Sequence, residues 1–159
     1  MNYSQRSTRG SPELIVDTNI FYSAILYPYG NPAWLLEEAD HRHVPVVLLD
    51  YVLDELGKVL GRKGVSPGTL LEFLGTFPSV KVRVSDAVRQ SEIDLTRSCV
   101  TDRKDRPIVA FALHRLDEGR DCVLVTGDRK LFAPAVKRLL RGRVMTASEV
   151  LGTWMMGNR

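Results

Sequence analysis

No stretch of this 159-residue sequence is long and apolar enough to cross a bilayer, which excludes a helical membrane span. Cysteine is scarce. Cys99 and Cys122 stand apart, outside any CxxC pair, which excludes a disulfide framework and reads as two reduced thiols in a cytoplasmic protein. Histidine is scarce too, and His41, His43 and His114 have no histidine or cysteine partners at ligand spacing, which argues against zinc. Internal repeats, low-complexity runs and linker-like stretches are all missing, so one domain is the economical reading at this length. The opening MNYSQRSTRGSP carries Arg6 and Arg9 but no apolar segment, which excludes a secretory leader. Residues 1–12 are expected to form a flexible tail and residues 13–159 a single domain.

What is present is an ordinary globular balance, 44% hydrophobic and 26% charged, with a net charge of +3. The charge is unevenly placed. From Gly10 to Thr96 there are 7 Lys/Arg against 12 Asp/Glu, and from Arg97 to Arg143 there are 12 against 6. The second block offers a basic face, for which a phosphate backbone is one natural partner and plain solvent the other.

Strand-like runs alternate with helix-period segments. Strands are expected at Leu14–Val16, Val44–Leu49, Val80–Val84, Cys122–Thr126 and Arg143–Thr146. The continuous apolar runs VPVVLL and CVLVT suit strands buried on both faces of a parallel sheet. Helices are expected at Asn19–Leu26, Pro32–Ala39, Tyr51–Leu60, Pro67–Leu74, Ser85–Leu95, Asp105–Leu116, Lys130–Leu140 and Ala147–Trp154. This alternation argues for an α/β fold with a central, mainly parallel sheet and helices on both faces. In such folds the carboxyl ends of the strands form the ligand crevice.

Asp17 lies at the carboxyl end of the first strand, and Asp128, in VLVTGD, just past the end of a later one. On the helix YVLDELGKVL, Val52, Leu53, Leu56, Val59 and Leu60 form the apolar stripe. Glu55 sits at its margin and can reach over the sheet edge, whereas Asp54 points to solvent. In TDRKDRPIVAFALHRL, Asp105 lies one turn upstream of the buried stripe at Ile108, Val109, Ala112, Leu113 and Leu116, near a helix start marked by Pro107. Singly, each acid reads as well as a cap, a turn support or half of an ion pair. Together, Asp17, Glu55, Asp105 and Asp128 could meet at one end of one sheet. Four such charges repel unless a cation neutralises them, and an all-oxygen site selects Mg²⁺ or Mn²⁺.

With these residues in place the chain resembles the PIN-domain family, in particular the VapC-like ribonucleases that are the toxins of bacterial toxin–antitoxin pairs. The likeness runs from Glu13 to Leu151 through IVDTNIFYSAIL, GNPAWLLEEA, LLDYVLDELGKVL, TDRKDRPIVAFAL, DCVLVTGDRKLF and VMTASEVL. It implies a three-layer α/β/α sandwich and metal-dependent RNA hydrolysis. By position it makes Asp17, Glu55, Asp105 and Asp128 the catalytic, Mg²⁺- or Mn²⁺-holding acids, with Asn19, Thr126 and Asp102 as supporting residues. One departure stands out. Relatives often carry a further acid two places after the TGD aspartate, and here Lys130 takes that place, removing one ligand for a second ion.

If the substrate is RNA, basic side chains such as Arg103, Lys104, Arg106, Arg129 and Lys130 are the candidates to hold its backbone. A small antitoxin would neutralise the enzyme, and two copies would form a homodimer. Pro28–Tyr29, Trp34 and Trp154–Met156 could supply apolar surface for these contacts or belong to the core. Two rivals remain open at this point. One is a binding module for RNA or protein that keeps the fold without catalysis. The other is a phosphotransfer protein using Asp17 as nucleophile, although Asn19 occupies the place where that chemistry wants a second acid.

Overall fold

The computed structural model describes residues 12–85 and 88–157. Apart from Pro12, the expected N-terminal tail lies outside the described residues. Five short strands form one sheet: β1 (Glu13–Val16), β2 (Val46–Leu49), β3 (Val80–Arg83), β4 (Cys122–Val125) and β5 (Val144–Met145). Their order is β3-β2-β1-β4-β5, and every pairing is parallel. The sequence explains why β1, β2 and β4 are central. LIV, VVLL and CVLV are apolar at successive positions, so both faces of each strand are covered, and all of these residues are buried. Strand β3, VKVR, alternates and lies at an edge, largely exposed.

The helices are α1 (Thr18–Leu26), α2 (Asn31–His41), α3 (Asp50–Arg62), α4 (Pro67–Gly75), α5 (Gln90–Cys99), α6 (Arg106–Asp117), α7 (Pro134–Leu139) and α8 (Ala147–Met156). Right-handed crossovers put the helices leading to β2 and β3 on one face. Those leading to β4 and β5 fall on the other. The packing agrees. Helix α1 packs on α2 and α3, and α2 on α8, while α5 packs on α6 and α7. The result is an α/β/α sandwich whose core includes Ile15, Phe21, Leu48, Leu56, Ile108 and Leu124, all essentially inaccessible.

Helix starts follow local chemistry. Ser66 accepts a bond from the Thr69 amide ahead of Pro67, and Thr146 with Glu149 forms a capping box for α8. Several expected boundaries differ, most by one or two residues, and three of them have a clear local cause. Pro45 lacks an amide hydrogen, and the second strand begins one residue after it, at Val46, rather than at Val44. Of the helix expected over Ser85–Leu95, Asp86 and Ala87 lie outside the described residues; α5 runs over Gln90–Cys99, its first turn fixed by the Glu92 carboxylate, which accepts from the Arg89 amide at 2.9 Å. The expected helix over Lys130–Leu140 is divided at Pro134 into a 3₁₀ turn (Arg129–Phe132) and α7. Among the described residues no helix is long and apolar enough to cross a membrane, and Cys99 and Cys122 are unpaired.

Candidate active site

Strand order reverses between β1 and β4: the chain leaves β1 toward β2 on one side and returns to β4 on the other. A crevice opens at the carboxyl ends of strands flanking such a switch point. A cavity of about 320 Å³ lies there, lined by Asp17, Glu55, Asp102, Asp105 and Asp128, with Lys104 as the basic residue beside them.

Asp17, Glu55, Asp105 and Asp128 are delivered by different elements, and Asp102 shares the turn that carries Asp105. Asp17 follows β1 and caps α1, its Oδ1 accepting from the Thr18 amide at 2.8 Å. Its Oδ2 accepts from Thr126 Oγ1, also at 2.8 Å. Thr126 is fully buried directly after β4, and the same hydroxyl accepts from the Asp128 amide at 3.0 Å. One hydroxyl thus joins the ends of β1 and β4 and orients two acids. Asp128 in turn accepts from the Lys130 amide at 3.0 Å, capping the 3₁₀ turn. Glu55 projects from α3 and accepts from Thr18 Oγ1 at 3.0 Å, leaving Oε1 free to act. It forms no ion pair among the described residues, while Asp54 points outward and pairs with Lys58 at 3.1 Å.

Asp105 is the most strained electrostatically. It ends a 3₁₀ turn (Arg103–Asp105) at the start of α6, yet its side chain makes no capping bond. Its Oδ2 is buried without any hydrogen-bond partner. Burial first, and then the charges of Asp17, Asp128 and Asp102, push its carboxyl up from 3.8 to about 7. Burial likewise raises Asp17, offset in part by the bonds from Thr126 and Thr18. Tyr51, one turn before Glu55 on α3, has its phenol pushed up by burial and by Asp17, Glu55 and Asp105. Three groups around one cavity therefore all resist further negative charge.

A profile of the PIN domain matches residues 13–130, which spans every one of these acids. This chain belongs to the PIN-domain family. No curated protein matches it. PIN domains are generally nucleases and typically use divalent metal ions.

The residues of this PIN domain fit such an ion in part. The donor set is all oxygen, and the Asp105 Oδ2 is a buried acceptor with no hydrogen-bond partner. Among the described residues, however, no three acidic, histidine or cysteine side chains close on a single point. The oxygen-only donor set suits a hard ion rather than zinc, while the acids as placed do not converge on one.

The remaining residues singled out from the sequence divide clearly. Asp102 lines the cavity and accepts from Lys130 Nζ at 3.4 Å; the same nitrogen is 4.0 Å from Asp128. Asn19 is exposed at the cavity and makes no hydrogen bond to any of the acids among the described residues, although its amide lies against Gly127. Arg129 is exposed. Arg103 and Arg106 turn away into a second cavity. Trp154 is buried beneath Arg42, whereas Tyr27, Tyr29, Trp34 and Met156 are exposed. Sequence reading missed Thr18, Tyr22 and Tyr51. A signal for Tyr51 was available, since it stands four residues before Glu55 and so on the same helical face.

Proposed function

We propose that this PIN domain is a metal-dependent endoribonuclease that hydrolyses RNA phosphodiester bonds, and that it is the toxin of a toxin–antitoxin pair. The observation that carries the nuclease reading is the set of acids brought together at the switch point, with the Asp105 Oδ2 buried and unpartnered. An inert module has no reason to keep that repulsion.

In this reading Asp17, Asp105 and Asp128 hold Mg²⁺ or Mn²⁺, directly or through water, with Glu55 beside them. The ion, when bound, lowers the pKa of a water and offsets charge on the phosphate. The protein does the rest. Thr126 and the Thr18 amide fix both oxygens of Asp17, so its carboxylate does not reorganise on binding. Thr18 Oγ1 fixes one oxygen of Glu55 and leaves the other to accept a hydrogen from the attacking water. The water oxygen forms a bond to phosphorus, the opposite P–O ester bond breaks, and the departing ribose oxygen takes up a proton. Lys104, at the cavity wall, holds a phosphate of the same strand. Lys130, already tied to Asp102, narrows the acid cluster on the side where relatives carry another carboxylate.

An antitoxin and a second copy of the chain are the proposed protein partners. Exposed Tyr29, Trp34 and Met156 support an apolar contact face. The deciding experiment is cleavage of a mixed RNA pool by purified protein with Mg²⁺, Mn²⁺ or EDTA, alongside Asp17→Asn. Product that needs metal and vanishes in the folded variant supports the reading. Absence of cleavage with RNA binding intact would move the assignment to a non-catalytic binding module.

A further inference from the structure

Arg103 and Arg106 leave the acid cavity for another one, about 260 Å³ in volume, between α5 and α6. Arg97 of α5 joins them there, above a floor that includes Ile93, Pro107 and Ala110. No carboxylate lines this space among the described residues. Arg106 is held in place: its Nε donates to the Val100 carbonyl at 2.9 Å and an Nη to the Thr101 carbonyl at 3.5 Å. Its guanidinium is therefore a fixed plane at the pocket wall. Arg97 is only loosely engaged, 3.6 Å from Asp94 and well exposed.

The two cavities share one wall. Along the turn from Asp102 to Pro107, the side chains of Asp102, Lys104 and Asp105 face the acids, while those of Arg103, Arg106 and Pro107 face the arginine pocket. Neighbouring residues are about 3.8 Å apart, so a single strand crossing this turn meets both cavities within a nucleotide or two.

Resting on the nuclease reading, we infer that the arginine pocket is a base-recognition subsite for an unpaired nucleotide next to the bond being cut. Three guanidiniums match the phosphate flanking that nucleotide, and the anchored Arg106 plane with the apolar floor matches the face of a base. The cavity is smaller than the roughly 300–1,000 Å³ of sites that take drug-sized ligands, which suits one planar heterocycle. This subsite, rather than the acid cluster, selects which RNA is cut.

The test uses the full chain and short single-stranded RNAs carrying one abasic position moved along the strand. Binding is read by fluorescence anisotropy in EDTA, and cleavage separately with Mn²⁺. An abasic position beside the cut should weaken wild-type binding about tenfold. In Arg106→Ala, checked as folded by its melt, the plane beneath the base is gone and the penalty should shrink to nothing, whereas Arg97→Ala and Arg103→Ala, which remove only phosphate contacts, should weaken intact and abasic strands alike. An equal penalty in wild type and Arg106→Ala, or none at any position, overturns the subsite. So does an acidic peptide that saturates the pocket while RNA binding shows no base dependence. Metal-dependent cleavage surviving such a result leaves the nuclease reading intact, and its absence throughout, with base-dependent binding retained, sinks the nuclease reading alone.

Discussion

Asp105→Asn should make the metal-free protein more stable while ending its activity. The Asp105 carboxyl rises from 3.8 to about 7 because folding buries it beside Asp17, Asp128 and Asp102. A folded pKa above the unfolded one contributes stability that is complete below the unfolded value and lost as pH rises through the folded value. At pH 8 the charged form therefore opposes folding, by up to roughly 4 kcal/mol from the shift alone. Solvent reaches part of the group, and screening reduces this to about 2 kcal/mol. Asparagine matches the shape without the charge. In EDTA at pH 8 the variant should melt roughly 6 °C above wild type. The gap should narrow as pH falls from about 7 and close below 3.8, where Asp105 is protonated in both states. Saturating Mn²⁺ should reverse the order, because only wild type gains the binding energy, about 2.7 kcal/mol at a hundredfold excess over Kd. Thermal melts at several pH values, with and without metal, read all three effects. A gap of the same size at every pH, or equal stabilisation of both proteins by Mn²⁺, would refute the reasoning.

Thr126→Val should cost about 1–3 kcal/mol in denaturant melts, since it strips a bond from Asp17 and leaves the Asp128 amide unpaired. It should also depress cleavage by an order of magnitude or more. Because an ion competes with the proton on Asp105, metal affinity measured by calorimetry should fall about tenfold per pH unit below about 7 and flatten above it. For the homodimer proposed above, replacing Tyr29 and Met156 together by serine should shift sedimentation toward the monomer while leaving the far-UV spectrum unchanged, as both side chains lie outside the core.

Much of this architecture is legible in the sequence because each central strand carries two signals, its apolar run and the polar residue at its carboxyl end. VVLL and CVLV announce burial on both faces, and the acid after LIV marks the strand's end at the sheet edge. Helix starts are harder to read. The first turn of α5 is set by a carboxylate three residues inside the helix, a bond that hydrophobic periodicity does not register. In the site, the acids can be found because charges are conspicuous, and Asp54 can be set aside because helical angles separate it from Glu55. Thr18 and Arg97 are invisible for a different reason. Their positions matter only relative to residues 37 positions away or on a neighbouring helix, distances that no local pattern encodes.

The hydroxyl of Thr126 reaches an aspartate 109 positions earlier in the chain. During synthesis, Asp17 emerges well before the segment that carries Thr126 and Asp128. Strand β4 cannot dock beside β1 until its residues have cleared the ribosomal tunnel, and before that moment the acids have no common edge to share. Within this domain the shared edge of acids therefore exists only after the stretch from Asp17 to Asp128 has been made and docked, and no earlier stage of folding carries it.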